Sequence, residues 1–185
     1  MPLNLTRRNR DQVGLGSYLV NVGDCNGCHS AGAQTEFTGD GNPYLFAPPS
    51  QRMHMPKKVN PATYLGGGQD FGPFPAPDSP LHIFSRNLTP DITGRPGGLS
   101  LYDFIVIMET GKDFDHLHPT CAGATQTAGC VPYPFDGNLL QIMPWPMFQD
   151  MVHEDMAAIY AYLSAIPCID TMVTGQPQLR NNCPK

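Results

Sequence analysis

Charge is scarce in this 185-residue chain: Asp, Glu, Lys and Arg make up 15% of it, against roughly a quarter in ordinary globular domains. What charge there is leans acidic, with 16 acidic against 11 basic side chains and a formal net charge of −5. That balance supplies no basic stripe to neutralise phosphates, and it excludes nucleic acid as the partner. No apolar run approaches the roughly 20 residues needed to cross a bilayer, so no membrane span is expected. The opening MPLNLTRRNR holds no apolar h-region, and Arg7-Arg8 lacks the hydrophobic stretch of a twin-arginine signal, so no signal peptide is expected in this numbering. Internal repeats and an alternating strand–helix pattern are missing as well. Proline and glycine, by contrast, are plentiful at 20 and 19 residues. They argue for long ordered loops around a few helices, not a bundle throughout. With 41% hydrophobic residues, the chain is long enough to bury a core as a single domain over residues 1–185.

Six cysteines stand at 25, 28, 121, 130, 168 and 183. Cys25-Asn-Gly-Cys28-His29 reads as the C-x-x-C-H attachment motif of a covalent haem c, and as it occurs once, one haem is expected. The spacing has a physical reason. Two thiols three positions apart lie about one helical turn apart, so both can add to vinyl groups on one haem edge while His29 offers its imidazole to the iron. The other ring nitrogen should donate to a backbone carbonyl and so fix the tautomer. A zinc site would need a second ligand pair at comparable spacing, which neither 121/130 nor 168/183 supplies. A thioredoxin-like C-x-x-C would need the missing α/β alternation. The four remaining cysteines fit two disulfides. Local pairing, Cys121–Cys130 and Cys168–Cys183, is expected among the three connectivities that four cysteines allow. Closing such loops contributes roughly 3 kcal/mol each on the chain-entropy account. Disulfides and covalent haem together imply a periplasmic or otherwise extracytoplasmic location, and hence a leader removed or replaced ahead of residue 1.

Three helices are legible. One is expected from about Arg8 to Gly23, with Val13, Tyr18, Leu19 and Val22 as a partial apolar stripe and Gly14 and Gly16 as points of close approach. A second is expected from about Ser100 to Thr110, capped by Ser100 with Asp103, carrying Leu101, Phe104, Ile105 and Met108 on one face, and ended by Gly111. A third is expected from about His153 to Ala165, with Glu154 and Asp155 in the first turn, Met156, Ile159, Tyr160 and Leu163 as its apolar face, and Pro167 as its stop. A bridge from Cys168 to Cys183 would fold the tail, 167–185, back over this helix end. Between the first two helices, roughly 39–98, lies a Pro- and Gly-rich insertion holding Tyr44, Phe46, Tyr64, Phe71, Phe74 and Phe84. These are expected to be ordered loops that wrap something large and apolar.

The sixth iron ligand separates carrier from catalyst, because Met/His ligation suits electron transfer and an open position suits ligand binding. Met143, in Leu140-Gln-Ile-Met-Pro-Trp145, is the foremost candidate, with Pro144 holding the preceding backbone extended. Met147 competes locally; Met53 and Met55 stand further back. Met108, Met151, Met156 and Met172 read as core filler. His116 and His118, beside Asp113 and Asp115, form a candidate metal pair whose plainer reading is a solvated stretch. His54, His82 and His153 are isolated, and Arg52, Lys57 and Lys58 read as a solvated loop in preference to a dock for an acidic partner.

Gly16-Ser-Tyr-Leu-Val-Asn-Val-Gly-Asp-Cys-Asn-Gly-Cys-His29 resembles the haem-attachment helix of class I c-type cytochromes, especially the cytochrome subunits and domains of bacterial alcohol and aldehyde dehydrogenases. Asn87-Leu-Thr-Pro-Asp91 with Thr93-Gly94, and Met143-Pro-Trp145 followed by His153 to Leu163, are similar to two further motifs of that group. The resemblance implies a mostly α, class I cytochrome c fold, its N- and C-terminal helices crossing beside a covalent haem. It also implies His29 and Met143 as axial ligands, with haem contacts near Asn87 and Leu88. The chain departs from the group in its single haem motif, the 39–98 insertion, the two extra cysteine pairs, and Val152 where a Ser or Thr cap is usual. The expected function is single-electron transfer between a redox donor and an acceptor. Alternatives are a dedicated subunit of a periplasmic dehydrogenase, a haem enzyme or gas sensor with a labile sixth ligand, and a structural zinc module.

Overall fold

The computed structural model describes residues 1–32, 34–37, 58–122, 128–170 and 181–184. Tyr44, Phe46, Arg52, Met53, His54, Met55, Lys57 and Met172 lie outside them. Helix α1, Arg10–Val22, starts where the Asn9 side chain accepts from the amides of Asp11 and Gln12, a cap worth about 1 kcal/mol. Its buried face is Val13, Gly16 and Val20. Tyr18 and Val22, expected on that face, are instead 63% and 66% exposed. Gly16 sets the phase: a Cβ there would overlap the carbonyl oxygen of Ala158, so the helix turns this position toward its neighbour. Gly14 meets nothing within 4 Å and is no contact point.

That neighbour is α4, His153–Leu163, packed against α1 with Met156, Ala158, Ile159, Tyr162 and Leu163 buried. Val152 stands at its N-cap without a side-chain bond, and Glu154 and Asp155 occupy the first turn. Between them in sequence come α2, Cys25–His29, and α3, Leu101–Thr110. The cap of α3 is the expected one: Ser100 Oγ accepts from Asp103 N at 3.1 Å, and Gly111 closes the helix at φ 68°. Phe104 and Met108 face inward, whereas Leu101 is 39% exposed.

From residue 58 to 98 the chain runs in loops and one antiparallel hairpin, β1 Asp70–Pro73 with β2 His82–Phe84, pairing Asp70 with Phe84 and Pro73 with His82. Strands of four and three residues are too short to show an alternating pattern, so the hairpin carried no sequence signal. Among the described residues the regular structure is therefore mostly helical with a small sheet. One apolar core joins Val13, Val20, Tyr64, Leu65, Phe104, Met108, Met156, Ile159 and Leu163. A smaller cluster of Leu81, Ile83 and Val131 sits under the hairpin. Both local disulfides form, Cys121–Cys130 and Cys168–Cys183. No helix among the described residues is long and apolar enough to cross a membrane.

Candidate cofactor site

Asp24, in the left-handed region at φ 51°, turns the chain from α1 into the single turn of α2. Helical spacing puts Cys25 and Cys28 on one face of that turn. Both thiols are free, although the other four cysteines are all bridged. Burial, and then the carboxylate of Asp24, push the Cys25 thiol up to about 11; the same causes raise Cys28. A redox-active C-x-x-C needs the opposite, a depressed thiol pKa.

His29 Nδ1 lies 2.8 Å from the carbonyl oxygen of Arg86. A carbonyl only accepts, so Nδ1 carries the proton and Nε2 keeps its lone pair. Burial, opposed by this hydrogen bond and reinforced by the Arg86 charge, holds the ring below its ordinary pKa of 6.5. The imidazole is therefore neutral at neutral pH, as a metal ligand must be.

The acceptor is supplied by two loops laid side by side. Gly67 N donates to His29 O at 2.7 Å, Leu88 N to Leu65 O at 2.9 Å, Gly68 N to Ser85 O at 2.9 Å and Ser85 N to Gln69 O at 2.9 Å. Gly67 is required here: its φ is +70°, and a Cβ would lie 2.5 Å from the Arg86 carbonyl. Asn26, inside the C-x-x-C spacer and 6% exposed, accepts from Leu65 N at 2.9 Å. The Arg86 guanidinium is held by both oxygens of Asp113 at 3.1 Å and by Asp115.

Those carboxylates are the pair that precedes His116 in sequence, so the stretch considered for metal binding spends its acids on Arg86. His118 Nδ1 donates to Gly129 O at 3.1 Å. Among the described residues, no three His, Cys, Asp or Glu side chains converge as a metal site. His82 pairs with Asp70 and His153 with Glu109, both at the surface.

Beside α2 opens a cavity of about 400 Å³, within the range of small-molecule and cofactor sites. All six residues singled out from the sequence line it: Cys25, Cys28, His29, Asn87, Leu88 and Met143. Phe71 and Phe84 of the insertion join them, together with Phe104 and Met108 of α3 and Ile159 and Leu163 of α4. Met147, the local competitor, lies in the 3-10 turn Trp145–Met147, is 81% exposed and is not among the lining residues. The polar end of Asn87 is committed elsewhere: Oδ1 accepts from Thr89 N and Oγ1, and Nδ2 donates to Ile169 O at 2.7 Å.

Tyr64 and Phe74, expected with the aromatics that wrap this space, are not on the lining; the Tyr64 hydroxyl donates to Asn21 Oδ1 and meets the Tyr162 hydroxyl, each at 3.0 Å. Arg86 and Asn26 escaped sequence reasoning. The only available signal was their position inside or beside the motifs, which names neighbours and not partners.

Comparison with protein-family profiles finds no match, and no solved structure matches the chain. Among curated proteins, the alcohol dehydrogenase (quinone) cytochrome c subunits of Gluconacetobacter polyoxogenes and Komagataeibacter europaeus are each 26% identical over 152 residues, 81% of this chain. The chain spans only 21% of the length of these relatives. In sequence, then, it resembles the cytochrome c subunits of quinone alcohol dehydrogenases.

Proposed function

We propose that this chain is a single-domain, class I, monohaem c-type cytochrome that carries single electrons outside the cytoplasm. The observation that carries the reading is the convergence of two free thiols, a neutral imidazole and a thioether on one cavity walled mainly by apolar side chains. The donor set fits haem c: two thiols for thioether bonds, one nitrogen and one sulfur for the iron. When bound, haem c supplies a one-electron ferrous/ferric couple. Cys25 and Cys28 would hold it, and the Arg86 carbonyl keeps His29 in the tautomer that presents Nε2. The Met143 sulfur would complete a Met/His pair, the ligation that raises the potential and suits transfer over catalysis. Phe104, Met108, Ile159 and Leu163 keep water from this side of the cavity. No substrate bond is made or broken by this chain.

The two disulfides support an oxidising, extracytoplasmic compartment. The names of the relatives favour one more specific reading, a dedicated electron-transfer subunit of a dehydrogenase. Co-purification with a larger quinoprotein or flavoprotein subunit supports that reading; a freely exchanging monomer removes it. The carrier reading is tested by intact mass and by the visible and near-infrared spectrum. One haem per chain is expected, with a sulfur-to-iron band that disappears in Met143→Ala and persists in Met147→Ala. A bare polypeptide mass in native material overturns the reading. Rapid carbon monoxide binding by the reduced protein at neutral pH replaces it with a gas sensor or haem enzyme.

A further inference from the structure

We propose that Asn181, on the C-terminal loop closed by the Cys168–Cys183 bridge, is a positioning residue for His29, acting through residues 86–89. The inference rests on the haem reading above and concerns what sets the strength of the imidazole ligand. Asn181 is 8% exposed. Its Nδ2 lies within hydrogen-bond distance of Thr89 O at 2.7 Å, Thr89 Oγ1 at 3.0 Å and Asn87 Oδ1 at 3.2 Å. From the other side of the same bridge, Ile169 N donates to Thr89 Oγ1 at 3.0 Å and Ile169 O accepts from Asn87 Nδ2 at 2.7 Å. Asn87 is 6% exposed and Thr89 wholly buried, so these bonds are shielded from water.

The peptide bond carries the effect onward. The Arg86 carbonyl and the Asn87 amide belong to one planar unit, so whatever fixes Asn87 also fixes the oxygen that accepts from His29 Nδ1 at 2.8 Å. The Arg86 side chain anchors that unit on one side through Asp113 and Asp115; the tail anchors it on the other. A firm acceptor at Nδ1 raises the basicity of the ligating nitrogen and so favours the ferric state. Loosening the tail should weaken that bond and move the couple upward.

The experiment compares wild-type holoprotein with Asn181→Ala, Asn181→Asp and the surface control Asn182→Ala, by spectroelectrochemistry and by NMR exchange of the His29 ring N–H. Asn181→Asp keeps the shape but has no N–H to offer three acceptor oxygens. Both Asn181 variants should change the ferrous-to-ferric ratio at fixed potential three- to tenfold toward ferrous, the tenfold limit being about 59 mV for one electron. Ring N–H exchange should quicken by about tenfold, and Asn182→Ala should change neither. Should the variants fail to mature, the same two measurements are made on native holoprotein after phosphine reduction of the bridge. Thioether attachment survives that reduction, and a Cys121→Ser/Cys130→Ser chain treated alongside removes the other disulfide from account. A lower melting temperature with potential and exchange unchanged overturns the inference and leaves the cytochrome reading standing. A bare polypeptide mass overturns both.

Discussion

The two walls of the cavity are built differently. On one side stand α1, α3 and α4, joined by interdigitated apolar side chains such as Val20, Phe104, Met156 and Leu163. On the other run loops held by directional bonds: the 65–69 and 85–88 backbone ladder and the Arg86–Asp113 pair, with Ile169 and Asn181 bonding to Asn87 and Thr89. Apolar packing supplies most of the stability, about 1.5–3 kcal/mol for each large side chain fully buried, but it is indifferent to the direction of any one atom. A hydrogen-bonded loop adds less energy and fixes single oxygens in space. The oxygen that orients His29 is found on the loop wall.

The largest blow to this division would come from emptying the cavity. A Cys25→Ala/Cys28→Ala chain, unable to hold a haem, is expected to lose most of its far-UV helical signal, because the helix wall closes on what lies between the walls. Native helicity in that chain would show that the helices stand alone. Next, Gly16→Val should cost about 3 kcal/mol, since its side chain meets the backbone of α4. Gly14→Ala, with open space around it, should gain up to about 1 kcal/mol. Urea midpoints separate the two.

On the loop wall, Asp113→Asn should cost about 2–3 kcal/mol, because Asp113 is 7% exposed and its loss strands a partly buried guanidinium. Asp115→Asn, at a carboxylate 62% exposed, should cost under about 1 kcal/mol. The smallest effect is a matter of pH. The folded His29 pKa lies below 6.5, so the folded state takes up fewer protons there than the unfolded one. Its contribution to stability is fully present above about pH 6.5 and falls as pH drops below that value. Urea midpoints that rise as pH falls below 6.5 would contradict the assignment.

The helix wall was legible in the sequence because its determinants are local. The cap at Ser100, the stop at Gly111 and the acidic first turn at Glu154 and Asp155 are read from neighbours along the chain, and the helices begin and end close to where these signals fall. The phase of α1 was misread because Tyr18 and Val22 are as apolar as the residues that are buried. Only the approach of Ala158 to Gly16 chooses between the faces. The loop wall was illegible for a related reason. His29 finds its acceptor 57 residues away, Asn87 finds Ile169 across 82, and Asn181 finds Thr89 across 92. No period or spacing encodes such partners. Of the site, the thiols and His29 came from a motif, and Met143 from its place before Pro144. The resemblance led to Asn87 and Leu88, both on the lining, without revealing that the Asn87 amide ties the loop to the tail.

Asn26 occupies a position that a motif reader treats as a wildcard. Its side chain takes the amide of Leu65, and Leu65 in turn takes the amide of Leu88. The spacer between the two thiols is thus a keystone for the opposite wall. A transplanted generic spacer would keep both sulfurs and the imidazole yet release the scaffold that aims them, so in this protein the five-residue signature cannot be exchanged like a cassette.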